Sequence, residues 1–308
     1  MRSRRRVPCR EGGHADPGGE HGEQGGEHGG FTGFLRGLLS GIPWSERAAR
    51  EETVTVDAPS SGRLRVHNSN GRTRITGEDR RDIEVTAYKT ARAGSQHAAE
   101  ELLDEIELVF TESAEGLELE VEIPRRRHHR GAANLCIKLP RDIRVAVSAA
   151  NGRVDVEGIR GAVEVRSSNG SANITEVVGD VQVATSNAKV HCACNKGRLR
   201  ARSSNGKIEI QSHCGSVDAS TSNGVIRAQL EALGKEGVQL ATSNGRIVLD
   251  LPDPVDADVD IRVDNGIIRN DRPLVQGGRE TQGRVVGQLG GGGPLIKLRT
   301  SNGMISVH

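Results

Sequence analysis

The segments N151-G-R-V-D-V, N169-G-S-A-N-I, N187-A-K-V-H-C, N205-G-K-I-E-I and N223-G-V-I-R-A return at one constant interval along the chain. Further Asn-Gly pairs stand at Asn70, Asn244, Asn265 and Asn302. A fixed short period decides the architecture before any local assignment does. Counted from each Asn, positions −6 and −4 are apolar, as in Val145/Val147, Val163/Val165, Val181/Val183, Leu199/Ala201, Val217/Ala219, Val238/Leu240, Val259/Ile261 and Ile296/Leu298. Positions +3 and +5 repeat the pattern, as in Val154/Val156, Ala172/Ile174, Val190/Cys192, Ile208/Ile210, Ile226/Ala228, Ile247/Leu249 and Ile305/Val307. Polar residues alternate with them, so each repeat holds two short strands with one buried face.

Two tight turns separate the strands of a coil. Asn151-Gly152, Asn169-Gly170, Asn205-Gly206 and Asn223-Gly224 mark the first, where both residue types tolerate positive φ. Gly161, Gly179, Gly197 and Gly215 at −8 mark the second. Asn-Gly between alternating runs also fits an antiparallel meander. Such a meander would bury one face only, and this chain has little to cover it with. A β-solenoid, in which like positions stack as parallel strands, closes its core internally. It also stacks Ser-Asn upon Ser-Asn, so that the side chains can hydrogen-bond along a ladder. The fold expected is therefore all-β, a single-chain β-solenoid (β-helix-like) with coils of about 18 residues.

The composition suits thin stacked coils. The chain of 308 residues has 40 Gly but only three Phe, one Tyr and one Trp. Its 42 basic and 41 acidic residues are well mixed, for a net charge of +1. This gives no electrostatic case for a nucleic-acid partner. The sequence has no apolar run of roughly 18 residues, so no transmembrane segment is expected. Met1–Arg10 is basic but is followed by Gly, Glu and His rather than an apolar stretch, a poor signal peptide. The five Cys do not have the spacing of a disulfide framework. A cytoplasmic setting is expected, with an envelope-associated one as the alternative.

Two domains are expected. Residues 1–50 form a Gly/Glu/His-rich tail too polar to offset its ordering entropy. It carries an apolar motif at 31–44, with Phe31, Phe34, Leu35, Leu38, Leu39 and Trp44 as candidate partner-binding residues. That motif would dock on a protein partner or a membrane surface, or fold back to cap the repeats. Residues 51–308 form the repeat domain. Its lead-in has strands at 54–56, 64–66, 83–85, 108–110, 117–123 and 135–139. A single helix is expected over 96–107, with Ser95 as N-cap. The Arg/His run at 125–130 reads as a solvated loop, and Arg272–Pro294 as an excursion before a last strand pair.

The recurrent (T/S)-S-N-G-x-(I/V)-x-(V/I), with G-x-V-x-(V/A) in the other half-coil, resembles the DUF4097 family over roughly residues 51–308. The strand–helix–strand lead-in at 83–139 is similar to that family as well. The resemblance implies a β-strand-repeat protein of a class labelled candidate adhesins, with a protein or cell-surface partner.

Chemistry-bearing clusters are few. Cys192, Cys194, His213 and Cys214 could ligate a metal across one coil, but Cys192 stands at an inward core position. Asp253, Asp256, Asp258 and Asp260 are the only carboxylate cluster suggesting a polysaccharide-active β-helix enzyme, and neither a base nor an aromatic platform accompanies them. Thr185, Thr221, Thr242 and Thr300 at −2 point inward by parity, which argues against an outward Thr array. No catalytic residue, metal or cofactor is therefore assigned. The expected function is a non-catalytic scaffold or binding protein of the adhesin type. The alternative is a cytoplasmic interaction scaffold working through residues 31–44.

Overall fold

The structure is a computed structural model, and it describes residues 3–6, 46–124, 130–275 and 278–308. The motif at 31–44 and the run at 125–129 lie outside the described residues. The lead-in comprises β1 (Ser3–Arg6), β2 (Glu46–Asp57), β3 (Arg63–Asn70), β4 (Thr73–Glu78), β5 (Asp82–Ala93), α1 (Gln96–Asp104), β6 (Glu107–Ser113), β7 (Gly116–Glu122) and β8 (Gly131–Pro140). The regular coils follow as β9 (Arg144–Asn151) with β10 (Val154–Glu157), β11 (Val163–Ser167) with β12 (Ala172–Thr175), and β13 (Val181–Thr185) with β14 (Val190–Ala193). Then come β15 (Lys196–Ser203), β16 (Ile208–Asn223), β17 (Ile226–Asp250), β18 (Ala257–Asn270), β19 (Arg279–Thr281), β20 (Arg284–Leu289) and β21 (Leu295–Val307).

The coils stack in parallel and in register. Val163 pairs with Val145 on one side and Val181 on the other, and Ala172 pairs with Val154 and Val190. A hairpin meander is thereby ruled out, since the partners lie one whole coil apart rather than across a turn. The inward positions named above are all buried, from Val145 to Val307. Each coil thus sets four small apolar side chains between two sheets, each contributing about 1.5–3 kcal/mol when it is Val, Leu or Ile. Small residues suffice because the two walls belong to the same turn of chain.

The first corner carries the expected ladder. Asn169 Nδ2 donates to Asn151 Oδ1 at 3.2 Å, Asn187 to Asn169 at 3.0 Å, Asn205 to Asn187 at 2.9 Å and Asn223 to Asn205 at 3.0 Å. Gly71, Gly266 and Gly303 take the expected positive φ, but in the middle coils the reason for glycine differs from the expected one. None of these Asn has positive φ, nor do Gly152, Gly170, Gly206 and Gly224. A Cβ on Gly170 would instead overlap the carbonyl oxygen of Gly152, and one on Gly206 that of Ala188. Successive coils approach backbone to backbone here, although Ala188 fills the same position in the Asn187 coil. At the second corner Gly179, Gly197 and Gly215 do take positive φ. Three residues before each, the non-glycine Glu176, Cys194 and Ser212 are left-handed, with φ of 55°, 55° and 48°.

Chain order and spatial order part at both ends. The first coil, β3 with β4, lies between the later β7/β8 coil and β9/β10. The last, β21, lies between β17 and the earlier β18. The Asn ladder follows space rather than sequence: Asn302 donates to Asn244 at 3.0 Å, and Asn265 to Asn302 at 3.1 Å. Antiparallel strands close the N-terminal edge, β5 and β2 on β8, and β6 and β1 on β7. At the other end β20 and β19 cover the first half of β18. The excursion at 272–294 is therefore a cap that contains a hairpin.

Strand β2 begins at Glu46 and Ser3–Arg6 forms a strand, both within the segment expected to be a tail. Twelve-residue pairing with β5 draws Glu46–Arg50 into the sheet. Helix α1 ends at Asp104, short of the expected 107, because Glu107 already pairs with Glu122 in the β6–β7 hairpin. Ser95 Oγ accepts from the Ala98 N–H at 3.2 Å, as an N-cap should.

Candidate functional site

The sequence candidates disperse on folding. Cys192 points into the core, and burial pushes its thiol up to about 12, so it is an inert apolar filler. Cys194 is exposed on the left-handed corner, and Cys214 Sγ lies 3.6 Å from Glu231 Oε2. His213 is buried, with neither ring nitrogen in hydrogen-bonding geometry. Burial holds its imidazole pKa below the ordinary value, although backbone groups of Ser216, Gly197 and Asn195 pull the other way. Among the described residues no group of three or more His, Cys, Asp or Glu side chains is placed to hold a metal ion.

The carboxylate cluster is taken up by the C-terminal cap. Asp256 accepts from the Gly291 N–H at 2.6 Å, and Asp258 from Gln288 Nε2 at 3.0 Å. Asp260 faces Arg284 and Arg299 at 3.4 and 3.9 Å, and Asp253 faces Arg272 at 3.5 Å. These contacts tie the excursion to the last coils.

What the fold assembles instead is an outward surface on the sheet of the −6/−4 strands. At −3 the register runs His67, Ser148, Arg166, Ala184, Arg202, Ser220, Ala241, Arg299 and Arg262 across successive coils. Small residues leave depressions between the cationic ones. One trough of about 480 Å³ is lined by Ser220, Ser222, Ala241, Ser243 and Ser301, with Arg262, Arg299 and Asp264 at one end. A second, of about 380 Å³, lies over Ala146 and Ser148, between Arg63, Arg65 and His67 on one side and Glu164 and Arg166 on the other. The buried Thr221, Thr242 and Thr300 at −2 also border this trough, and Thr221 Oγ1 donates to Gly206 O at 3.2 Å and Thr242 Oγ1 to Gly224 O at 3.4 Å. Those bonds fix the floor from beneath.

Neighbouring carboxylates orient the guanidinium groups. Asp218 receives Arg202 in a two-pronged contact at 2.8 and 2.6 Å, and Glu164 holds Arg166 at 2.7 Å. Of the charged groups lining the larger trough, Arg262 and Arg299 stand with Asp264.

The opposite sheet is cationic as well, with Arg74, Arg227, Arg246 and Arg269 exposed on it beside ion-paired carboxylates. Burial works against ionisation of Asp155, but Asn173 at 2.6 Å, Arg72 and Arg153 outweigh it and hold its pKa below the usual carboxylate range. Glu209 is held low by Lys189 and Lys207. Burial, with help from Lys189, lowers the pKa of the adjacent His191.

The sequence reading assigns −5 and −3 simply to the polar face. The signal is there, since Arg166, Arg202, Arg262 and Arg299 all stand three residues before a ladder Asn. Their adjacency depends on which coil lies beside which, and the period alone does not give that.

Several solved structures are similar to this chain. A candidate adhesin from Bacteroides fragilis is 12% identical, with 87% of this chain and 100% of that chain covered and a TM-score of 0.40. A candidate cell adhesion protein from Clostridium sporogenes is 11% identical, over 84% and 99%, with a TM-score of 0.28. A candidate lipid binding protein from Parabacteroides distasonis is 10% identical, over 84% and 97%, with a TM-score of 0.34. No curated protein matches the chain. The family model for Toastrack DUF4097 matches residues 51–308. By that match the chain belongs to the Toastrack DUF4097 family.

Proposed function

We propose that this protein is a non-catalytic binding protein of the adhesin type, and that its ligand lies on the −3 face of the solenoid. The observation that carries the reading is the 480 Å³ trough, floored by serine hydroxyls and bounded by Arg262 and Arg299. Hydroxyls and guanidinium groups on a rigid sheet offer many hydrogen bonds at low ordering cost. The lining includes a single carboxylate, Asp264, which faces Arg262 at 3.5 Å, and no imidazole or thiol. Acid–base or nucleophilic chemistry needs a paired set of such groups. The absence of that pair in the lining supports binding over turnover.

A glycan array with the full chain and its Ser243→Trp variant tests the reading. Ser243 is exposed, so the indole fills the trough without entering the core. Loss of the array signal in the folded variant is the expected result. An unchanged binding profile would overturn the assignment of the site.

A further inference from the structure

Resting on that binding reading, we propose that the −3 face takes an acidic polysaccharide laid parallel to the solenoid axis, with Arg166, Arg202 and Arg299 engaging successive anionic groups along it. The register makes these cations a comb. Arg166 and Arg202 are separated by the coil of Ala184, and Arg202 and Arg299 by those of Ser220 and Ala241. With neighbouring strands about 4.8 Å apart, the teeth stand roughly 10 Å and 14 Å from one another. A chain that carries one anion on every second or third sugar meets such spacing. The small residues between the teeth leave room for the intervening neutral rings, and Ser220, Ser222 and Ser243 offer them hydroxyls.

Other extended polyanions fit less well. Duplex DNA presents one charge per roughly 1.7 Å of axis, far denser than the comb. Single strands are held by stacking on aromatic rings, and among the described residues the aromatic side chain in the exposed large hydrophobics is Tyr88 on β5, away from this face. An anionic membrane would require insertion of apolar side chains, and the −3 column offers Ala, Ser, Arg and His. The carboxylates of Glu164 and Asp218 beside the teeth would repel a dense phosphate chain, but they can accept hydrogen bonds from sugar hydroxyls.

The test is calorimetric titration of the full chain with oligosaccharides of increasing length in which glucuronate alternates with N-acetylglucosamine, one carboxylate on every second sugar. Neutral dextran, a single-stranded oligothymidylate and phosphatidylglycerol vesicles serve as comparison ligands. Affinity should rise by about 10²-fold from a disaccharide to a chain spanning all three teeth, as multivalent engagement requires, and should fall with added salt. The Arg202→Gln/Arg299→Gln variant should lose at least about tenfold for the long oligomer. Arg227→Gln, on the other sheet, should lose nothing. Length-independent binding overturns the proposal, as does stronger binding of oligothymidylate or vesicles, or no binding of any of the alternating acidic oligosaccharides. If Ser243→Trp abolishes binding of neutral glycans while the double arginine variant binds like the parent, the trough stands as a site and the acidic comb fails. The length series needs only the parent protein, so a misfolded variant leaves the proposal open to refutation.

Discussion

Between Asn151 and Asn223 each coil stacks on the one that immediately precedes it in the chain. At the two ends an early coil and a late coil are instead inserted between neighbours that are distant in sequence. The middle is assembled by a local rule that could continue indefinitely. The ends stop it, since a parallel stack with free edges invites a second chain to add on. Inserting β3/β4 and β21 ties each end together by non-local pairing, and antiparallel strands then cover much of what remains exposed. Regularity thus supplies the length of the molecule, and the broken order limits it.

The strongest way to break this comparison is to remove one coil from each region. Truncation after Gly293 deletes β21, which is terminal in sequence but interior in space, and leaves β17 and β18 without their shared partner. Loss of hydrogen-exchange protection across β17 and β18 is expected. Deleting residues 170–187 removes one middle coil in register, and circular dichroism should show a folded protein with the same strand signature. If both deletions behave alike, the distinction between middle and ends is wrong.

Glycine replacement comes next. Gly170→Ala drives a methyl group into the carbonyl of Gly152 and should cost about 3 kcal/mol in chemical denaturation, the upper end of the usual overpacking range. Gly62→Ala near the N-terminal cap meets open space at φ 61° and should cost only the left-handed penalty, about 1–2 kcal/mol.

The amide ladder gives a smaller contrast. Asn187→Ala removes a donor to Asn169 and an acceptor of Asn205, an expected loss of about 1–2 kcal/mol. Asn265 is the last rung and makes one ladder bond, so Asn265→Ala should cost about 1 kcal/mol or less. Melting temperatures of the two variants, measured side by side, check the order.

The smallest effect concerns a core position in the middle coils. His213 follows Ile159, Val177 and Asn195 in steps of one coil, and all four are buried. Its folded pKa lies below the ordinary 6.5, so the unfolded chain binds the proton more readily. Its contribution to stability is then complete above about pH 6.5 and declines as pH falls toward the folded value. His213→Val should flatten that decline while changing stability at neutral pH by about 1 kcal/mol or less. Urea midpoints across the acid range read it out.

Much of the fold is legible because its determinants are local. Val163, Val165, Ala172 and Ile174 declare two inward strands by parity, and Ser95 with Ala99, Leu102 and Leu103 declares a helix. The role of glycine at the first corner is not legible in this way, because positive φ belongs to one residue while the approach of Gly152 O to Gly170 belongs to two coils. The site is less legible still. Ser220, Ala241 and Arg299 look ordinary in sequence and form one surface only through register. The Cys/His group draws notice by residue type, but inward and outward parity sets Cys192 and Cys194 in different environments.

By itself, then, the sequence determined the coil: its length, its two walls, its corners and the parity of every side chain. Each of these follows either from alternation along a strand or from the coil period, and any single turn of the chain carries both. Only the tertiary structure decided which coil lies beside which. Parallel pairing is satisfied by any two coils in matching register, so sequence distance does not choose among them. The choice that sets Arg299 next to Ala241, with Arg262 beyond it, is made by the closure of the ends. The same choice creates the arginine-bounded trough.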